Sequence, residues 1–169
     1  MEDYTILIVD DEEKVRNSLV RVLRPDGYHI LTASTGQEAL TKLNGTKVDL
    51  VLADNQMPGM SGIELLYILK KRWPDTIRLL ITGRADSEVA ISAINKGEVY
   101  RFIIKPWDSE ELKLTIRHAL EHQRLVEENR NLQQTVERQA DLLSDLEKKH
   151  PGITALPRDE EGFYVIEDS

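Results

Sequence analysis

The chain is predicted to be a doubly wound α/β protein, on three observations. Five short apolar runs recur along the first two thirds of the chain, amphipathic helical patterns fill the gaps between them, and the runs are apolar at nearly every position. A strand buried on both faces reads that way, and strands alternating with helices build a parallel sheet covered on both sides.

The five runs are "TILIV" (5 to 9), "YHILTA" (28 to 33), "VDLVLA" (48 to 53), "IRLLIT" (77 to 82) and "VYRFII" (99 to 104). Between them, "EEKVRNSLVRVLRP" places Val15, Leu19, Val22 and Leu23 on one helical face, and "GQEALTKL" does the same with Ala39, Leu40 and Leu43. "GIELLYILKKRW" and "SEVAISAINKG" repeat the spacing, while Gly27, Gly45, Pro74 and Gly97 mark boundaries. From Asp108 onward no sixth strand appears, and a helical sequence runs without glycine or proline to His150. Asp108 or Ser109 would cap it, with Glu110 and Glu111 in the first turn and Leu112, Ile116 and Leu120 facing the sheet.

Further along that helix, Leu125, Asn129, Leu132, Val136, Gln139, Leu143 and Leu146 alternate four- and three-residue steps, the a/d seam of a coiled coil. A polar Asn129 at an a position would fix register across a two-stranded parallel seam, or it faces solvent on a single helix. Val126, Ala140 and Leu142 widen the stripe, leaving room for a four-helix arrangement or a partner helix. The expected organisation is a globular domain over 1–122, a dimerising helix over 123–150, and an acidic tail over 151–169 with room for a short hairpin. Pro151 and Gly152 end the helix.

Composition narrows the function. With 169 residues, 22 Lys and Arg against 30 Asp and Glu, and a net charge of -8, a broad phosphate-backbone surface is disfavoured. Residues 121 to 150 hold five basic and seven acidic side chains, which argues against a DNA-reading helix there. The absence of cysteine removes disulfides, thiolate catalysis and cysteine-based zinc sites. No apolar run reaches the roughly 20 residues of a membrane span, and "MEDYTILIVDDEE" lacks the features of a signal peptide, so the expected placement is cytoplasmic.

The chemistry gathers at strand ends. Asp10 and Asp11 follow the first strand, Asp54 the third, Thr82 ends the fourth and Lys105 the fifth. In the sheet order 2-1-3-4-5 these four strands are neighbours, so the side chains converge at one edge. Each has a plainer explanation: an aspartate after a strand often forms a turn, Asp11 could cap the next helix, Thr82 suits a strand, and Lys105 could be a solvated charge. Jointly they make a carboxylate cluster that a hard cation such as Mg2+ would hold ionised, beside a lysine and a hydroxyl suited to phosphoryl oxygens. The chemistry indicated is phosphoryl transfer to an aspartate.

At these residues the sequence resembles the receiver domain of two-component response regulators, over residues 4 to about 122. "ILIVDDEE", "DLVLADNQMPGMSGIELL", "IRLLITG" and "FIIKPWD" carry the resemblance, in order. It implies a flavodoxin-like fold with Asp54 as phosphoacceptor. Asp11, Asp54 and the backbone carbonyl of Gln56 would bind Mg2+, with Asp10 assisting through water. Thr82 and Lys105 would contact the phosphoryl group, Phe102 would be the switching aromatic, and Lys105–Pro106 would be cis. Gln56 and Arg84 would border the path of the attacking water and modulate the lifetime of the acyl phosphate.

The resemblance also implies a sensor histidine kinase as donor, and a phosphoacceptor rather than an enzyme with a separate substrate. It is nearest to receivers that precede metal-dependent phosphohydrolase or enhancer-binding activator outputs. Neither output follows residue 122, which has no His-Asp pair and no nucleotide-binding glycine loop after it. The expected output is a homodimer formed by the C-terminal helix and acting on a protein partner, without direct contact to nucleic acid or membrane. A fragment of a larger regulator and a constitutive dimeric scaffold are the alternatives.

Overall fold

The computed structural model describes residues 4–96 and 98–153. The elements run β1 (Thr5–Val9), α1 (Glu13–Leu23), a 3-10 turn (Arg24–Asp26), β2 (His29–Ala33), α2 (Gly36–Gly45), β3 (Leu50–Asp54) and α3 (Gly62–Arg72). They continue with β4 (Ile77–Thr82), a second 3-10 turn (Arg84–Asp86), α4 (Ser87–Asn95), β5 (Arg101–Ile104) and α5 (Ser109–Lys149). The strands form one parallel sheet in the order β2-β1-β3-β4-β5. This is the doubly wound, flavodoxin-like arrangement expected from the sequence.

Alternation along the strands divides the core into two layers. Leu7, Val9, Val51, Ala53 and Leu80 pack with Leu40, Leu43, Leu65, Leu66, Leu69 and Ala90 on one face. Ile6, Ile8, Leu50, Leu52, Leu79 and Ile81 pack with Leu19, Leu23, Leu112, Ile116 and Leu120 on the other. Burying each such side chain stabilises by roughly 1.5–3 kcal/mol relative to leaving it exposed. The first turns of α5 therefore belong to the core, as the spacing of Leu112, Ile116 and Leu120 required.

Several boundaries differ from the sequence reading. β3 runs to Asp54 itself, because its ladder with β4 extends to the pair Asp54–Ile81. β5 begins at Arg101 rather than at residue 99, since its pairing with β4 starts at Leu79–Arg101. Asp11 does not cap α1: Glu12 holds that position without a side-chain cap, and Asp10 accepts the Glu12 N–H at 2.8 Å. Asp108 rather than Ser109 caps α5, accepting from the N–H groups of Glu110 and Glu111, each at 2.9 Å.

The chain divides into two units, the first ending at Gln123 and the second starting at Arg124. In the second, α5 continues as helix to Lys149, and the seam positions Leu125, Asn129, Leu132, Val136, Gln139, Leu143 and Leu146 are all exposed. The hairpin expected in the tail lies outside the described residues from 154 onward. Among the described residues, no helix is long and apolar enough to cross a membrane.

Candidate functional site

The carboxyl ends of β1, β3 and β5 deliver three groups to one face of the sheet by simple alternation. Asp10 continues the series Ile6 and Ile8, Asp54 continues Leu50 and Leu52, and Lys105 continues Ile103, all members of the same core layer. Asp10 and Asp54 are 1% and 4% exposed, too little to be sustained as charges by water alone. Lys105 supplies the compensation: its Nζ lies 2.8 Å from Asp54 Oδ1 and 3.6 Å from Asp10 Oδ2.

Lys105 cannot balance the whole site. Carboxylate oxygens of Asp10, Asp11 and Asp54 lie within 4.8 Å of one another, so three acids face one ammonium. Asp10 Oδ2 is buried without a hydrogen-bond donor. Burial pushes the Asp10 carboxyl above its ordinary range, and the charges of Asp54 and Asp11 add to this, against the Glu12 N–H and Lys105. Burial also disfavours the charge on Lys105. The hydrogen bond to Asp54 and the charges of Asp54, Asp10 and Glu12 outweigh it, and the ammonium is held above its usual range. An all-oxygen donor set with surplus negative charge and an orphaned acceptor fits a hard divalent cation.

Thr82 is fully buried at the end of β4, and its hydroxyl donates to the Gly83 carbonyl at 3.3 Å. It pairs with Ile104, whose neighbour Lys105 donates its backbone N–H to the Thr82 carbonyl at 2.8 Å, so threonine and lysine are tied through the main chain. The Lys105–Pro106 bond is cis. Phe102 packs, half-buried, against the layer containing Leu80 and Ala90. It also lines a cleft of 520 Å3 with Arg84, Ile104 and Trp107. Arg84 and Gln56 are both exposed at the rim, and Gln56 Nε2 donates to Asp86 Oδ2 at 2.7 Å.

Three residues that shape the site were not singled out from the sequence. Arg16 of α1 holds the backbone carbonyl of Asp10 with Nη1 at 2.5 Å. Gly62 starts α3 against the backbone that follows β3: a Cβ there would stand 2.2 Å from the Asp54 carbonyl oxygen. A glycine at the first position of a helix is a poor helix former, and that local inconsistency was the available signal. Asp86 reads in sequence as an ordinary cap for α4, so its bond to Gln56 left no trace there.

A five-stranded 2-1-3-4-5 sheet with an acid triad, a threonine and a lysine at its carboxyl edge defines a receiver domain. The chain belongs to the response regulator receiver domain family, which it matches over residues 6–117. It is 39% identical over 121 residues to the hydrogenase transcriptional regulatory protein HoxA of Cupriavidus necator, covering 72% of this chain and 25% of that protein. Against the C4-dicarboxylate transport transcriptional regulatory protein DctD of Rhizobium meliloti the identity is 33%, over 79% of this chain and 29% of that one. The chain thus spans between a quarter and a third of the length of these relatives. Among solved structures it is similar to the signal receiver domain of an HD domain-containing protein from Pseudomonas fluorescens Pf-5. That likeness has TM-score 0.69 and 40% identity, covering 73% of this chain and 98% of that one. NtrX from Brucella abortus superposes with TM-score 0.73 at 34% identity, over 78% of this chain and 30% of that one.

Proposed function

We propose that this chain is a phosphorylation-controlled response regulator of the cytoplasm, accepting a phosphoryl group on Asp54 from a sensor histidine kinase. The observation that carries this reading is the Lys105 ammonium, 2.8 Å from Asp54 within a cluster of three acids. An Asp54 oxygen forms the new bond to phosphorus as the bond from phosphorus to the donor nitrogen breaks, and that nitrogen keeps the electron pair. Lys105 neutralises charge on the phosphoryl oxygens, and the Thr82 hydroxyl turns from Gly83 toward them. Asp11, Asp54 and the Gln56 carbonyl would hold Mg2+, with Asp10 acting through water. When bound, the ion supplies positive charge that offsets the acid cluster and the incoming oxygens.

In this reading Thr82 and Phe102 carry the signal outward, Phe102 moving as an apolar plug when Thr82 leaves its resting position. The output is a parallel dimer through the α5 seam from Leu125 to Leu146, presenting a surface to a protein partner. The exposed leucines and valines of that stripe support it: Leu132 and Val136 are 60% and 63% exposed on a single helix. The chain assists its own phosphorylation and dephosphorylation and has no separate substrate. The test is to measure oligomeric state with and without Mg2+ and a beryllofluoride phosphoryl mimic, in the native chain and in Asp54→Asn. A mimic-dependent change only in the native chain supports the switch. No change in either removes it and favours a constitutive scaffold.

A second reading has an observation of its own. The curated relatives are transcriptional regulators more than three times as long as the matched segment, so this receiver could serve as the input portion of such a regulator. The reading frame of the encoding gene distinguishes the two.

A further inference from the structure

Asp86 occupies the N-cap position of α4, where an aspartate ordinarily accepts a hydrogen bond from the first-turn N–H groups. It makes no such bond: its backbone closes the 3-10 turn onto Gly83 at 3.2 Å, and its carboxylate accepts from Gln56 Nε2 at 2.7 Å instead. Gln56 lies two residues beyond Asp54 and Asp86 four beyond Thr82. The bond therefore spans the gap between the loops that leave β3 and β4, adjacent strands of the sheet. It also fixes the Gln56 carboxamide, because only the NH2 end can face a carboxylate. Gln56 is otherwise an exposed side chain with no reason to hold one orientation.

We propose that Asp86 is a positioning residue for the phosphoryl site, holding Gln56 across the loop gap in place of capping α4 and reverting to the cap when Gln56 is released. This rests on the reading of Asp54 as phosphoacceptor. Hydrolysis of the acyl phosphate needs a water oxygen to form a bond to phosphorus while the bond from phosphorus to the Asp54 oxygen breaks. The electron pair returns to the carboxylate, and the water proton leaves with inorganic phosphate or to solvent. A Gln56 tethered at its tip stands at the rim of that approach and obstructs it; an untethered Gln56 swings clear. The same release gives the α4 N–H groups a carboxylate acceptor. One side chain thereby couples the lifetime of the acyl phosphate to the order of the first turn of α4.

The experiment is a double-mutant cycle on the full chain, loaded with phosphoramidate and Mg2+, that follows loss of the phosphoryl group. Asp86→Ala is expected to hydrolyse at least threefold faster than the native chain, and Gln56→Ala likewise. The double variant should be no faster than either single one, and Asp86→Asn, which keeps an acceptor, should restore the native rate. Hydrogen exchange gives an independent readout: Gln56→Ala frees Asp86 to cap α4, raising protection of its first-turn amides roughly threefold to tenfold, the effect of one helix cap. Additive rates, an unchanged or slower Asp86→Ala, or unchanged α4 protection in Gln56→Ala would overturn the role of Asp86 while leaving Asp54 as acceptor. Failure of the native chain to take up phosphoryl would overturn both.

Discussion

The tightest packing in the site is backbone against backbone, and Gly62→Ala tests it. A Cβ at Gly62 would sit 2.2 Å from the Asp54 carbonyl oxygen, 2.8 Å from its carbonyl carbon and 2.9 Å from the Asn55 Cα. Ordinary contacts of this kind are about 3.5 Å, so roughly 1 Å must open. No flexible side chain is present to give way. The start of α3 is also pinned, by the Gly62 N–H to the Asn55 carbonyl at 3.1 Å and by the reciprocal Ser61–Glu64 capping box. The displacement therefore falls on Asp54 or on the whole N-terminus of α3. Overpacking of this sort costs about 1–3 kcal/mol, and a misplacement near 1 Å costs on the order of a hundredfold in rate. Gly45→Ala is the control, because a Cβ there meets nothing within 4 Å and alanine is the better helix former. Urea denaturation and the rate of phosphoryl uptake from a small-molecule donor read the two consequences. Native stability and uptake in Gly62→Ala would refute the reasoning.

Other consequences follow from the charges and the seam. Because burial holds the Asp10 carboxyl above its ordinary value of 3.8, the folded chain binds that proton more tightly than the unfolded one. Its contribution is full below 3.8 and is lost as pH rises through the folded value, so at neutral pH without divalent cations ionised Asp10 is a penalty. Asp10→Asn should then stabilise by about 1 kcal/mol, since it neutralises a buried carboxylate whose Oδ2 accepts no hydrogen bond; urea titrations in EDTA at pH 4 and pH 7 should show the gain growing with pH. Glu38 behaves oppositely: the Ser34 N–H, with Lys42 and the Ser34 hydroxyl, lowers its pKa from 4.5 to about 2. Glu38→Gln should cost stability at pH 7, with the difference closing as pH falls from 4.5 toward 2 by the same titrations. Finally, for the seam dimer proposed above, Leu132→Asp with Leu143→Asp should give monomers in light-scattering mass measurements, while leaving the sheet's circular dichroism unchanged.

What the sequence could disclose depended on whether a residue's role is periodic or particular. The strands were legible because "TILIV" and "IRLLIT" are buried on both faces, and β1 and β4 fall at Thr5–Val9 and Ile77–Thr82 as those runs required. Asp10, Asp54 and Lys105 were legible because alternation carries a strand's last side chain to a known face. Gly62 and Arg16 were not, since each acts on a backbone carbonyl brought near only by tertiary packing. Asp86 went unremarked for a physical reason: a carboxylate before a helix has a local partner available, and only the fold showed that Gln56 takes it. The ends of β3 and β5 shifted because ladder partners on β4, not hydrophobicity, decide where a strand begins and stops.

Phosphoryl transfer to Asp54 is tested most directly by the mass of the chain after incubation with phosphoramidate and Mg2+, with the modified residue located by reductive trapping of the acyl phosphate. The expected result is a gain of one phosphoryl group, confined to Asp54 and absent in Asp54→Asn. An unmodified native chain, or modification that persists in Asp54→Asn, would contradict it.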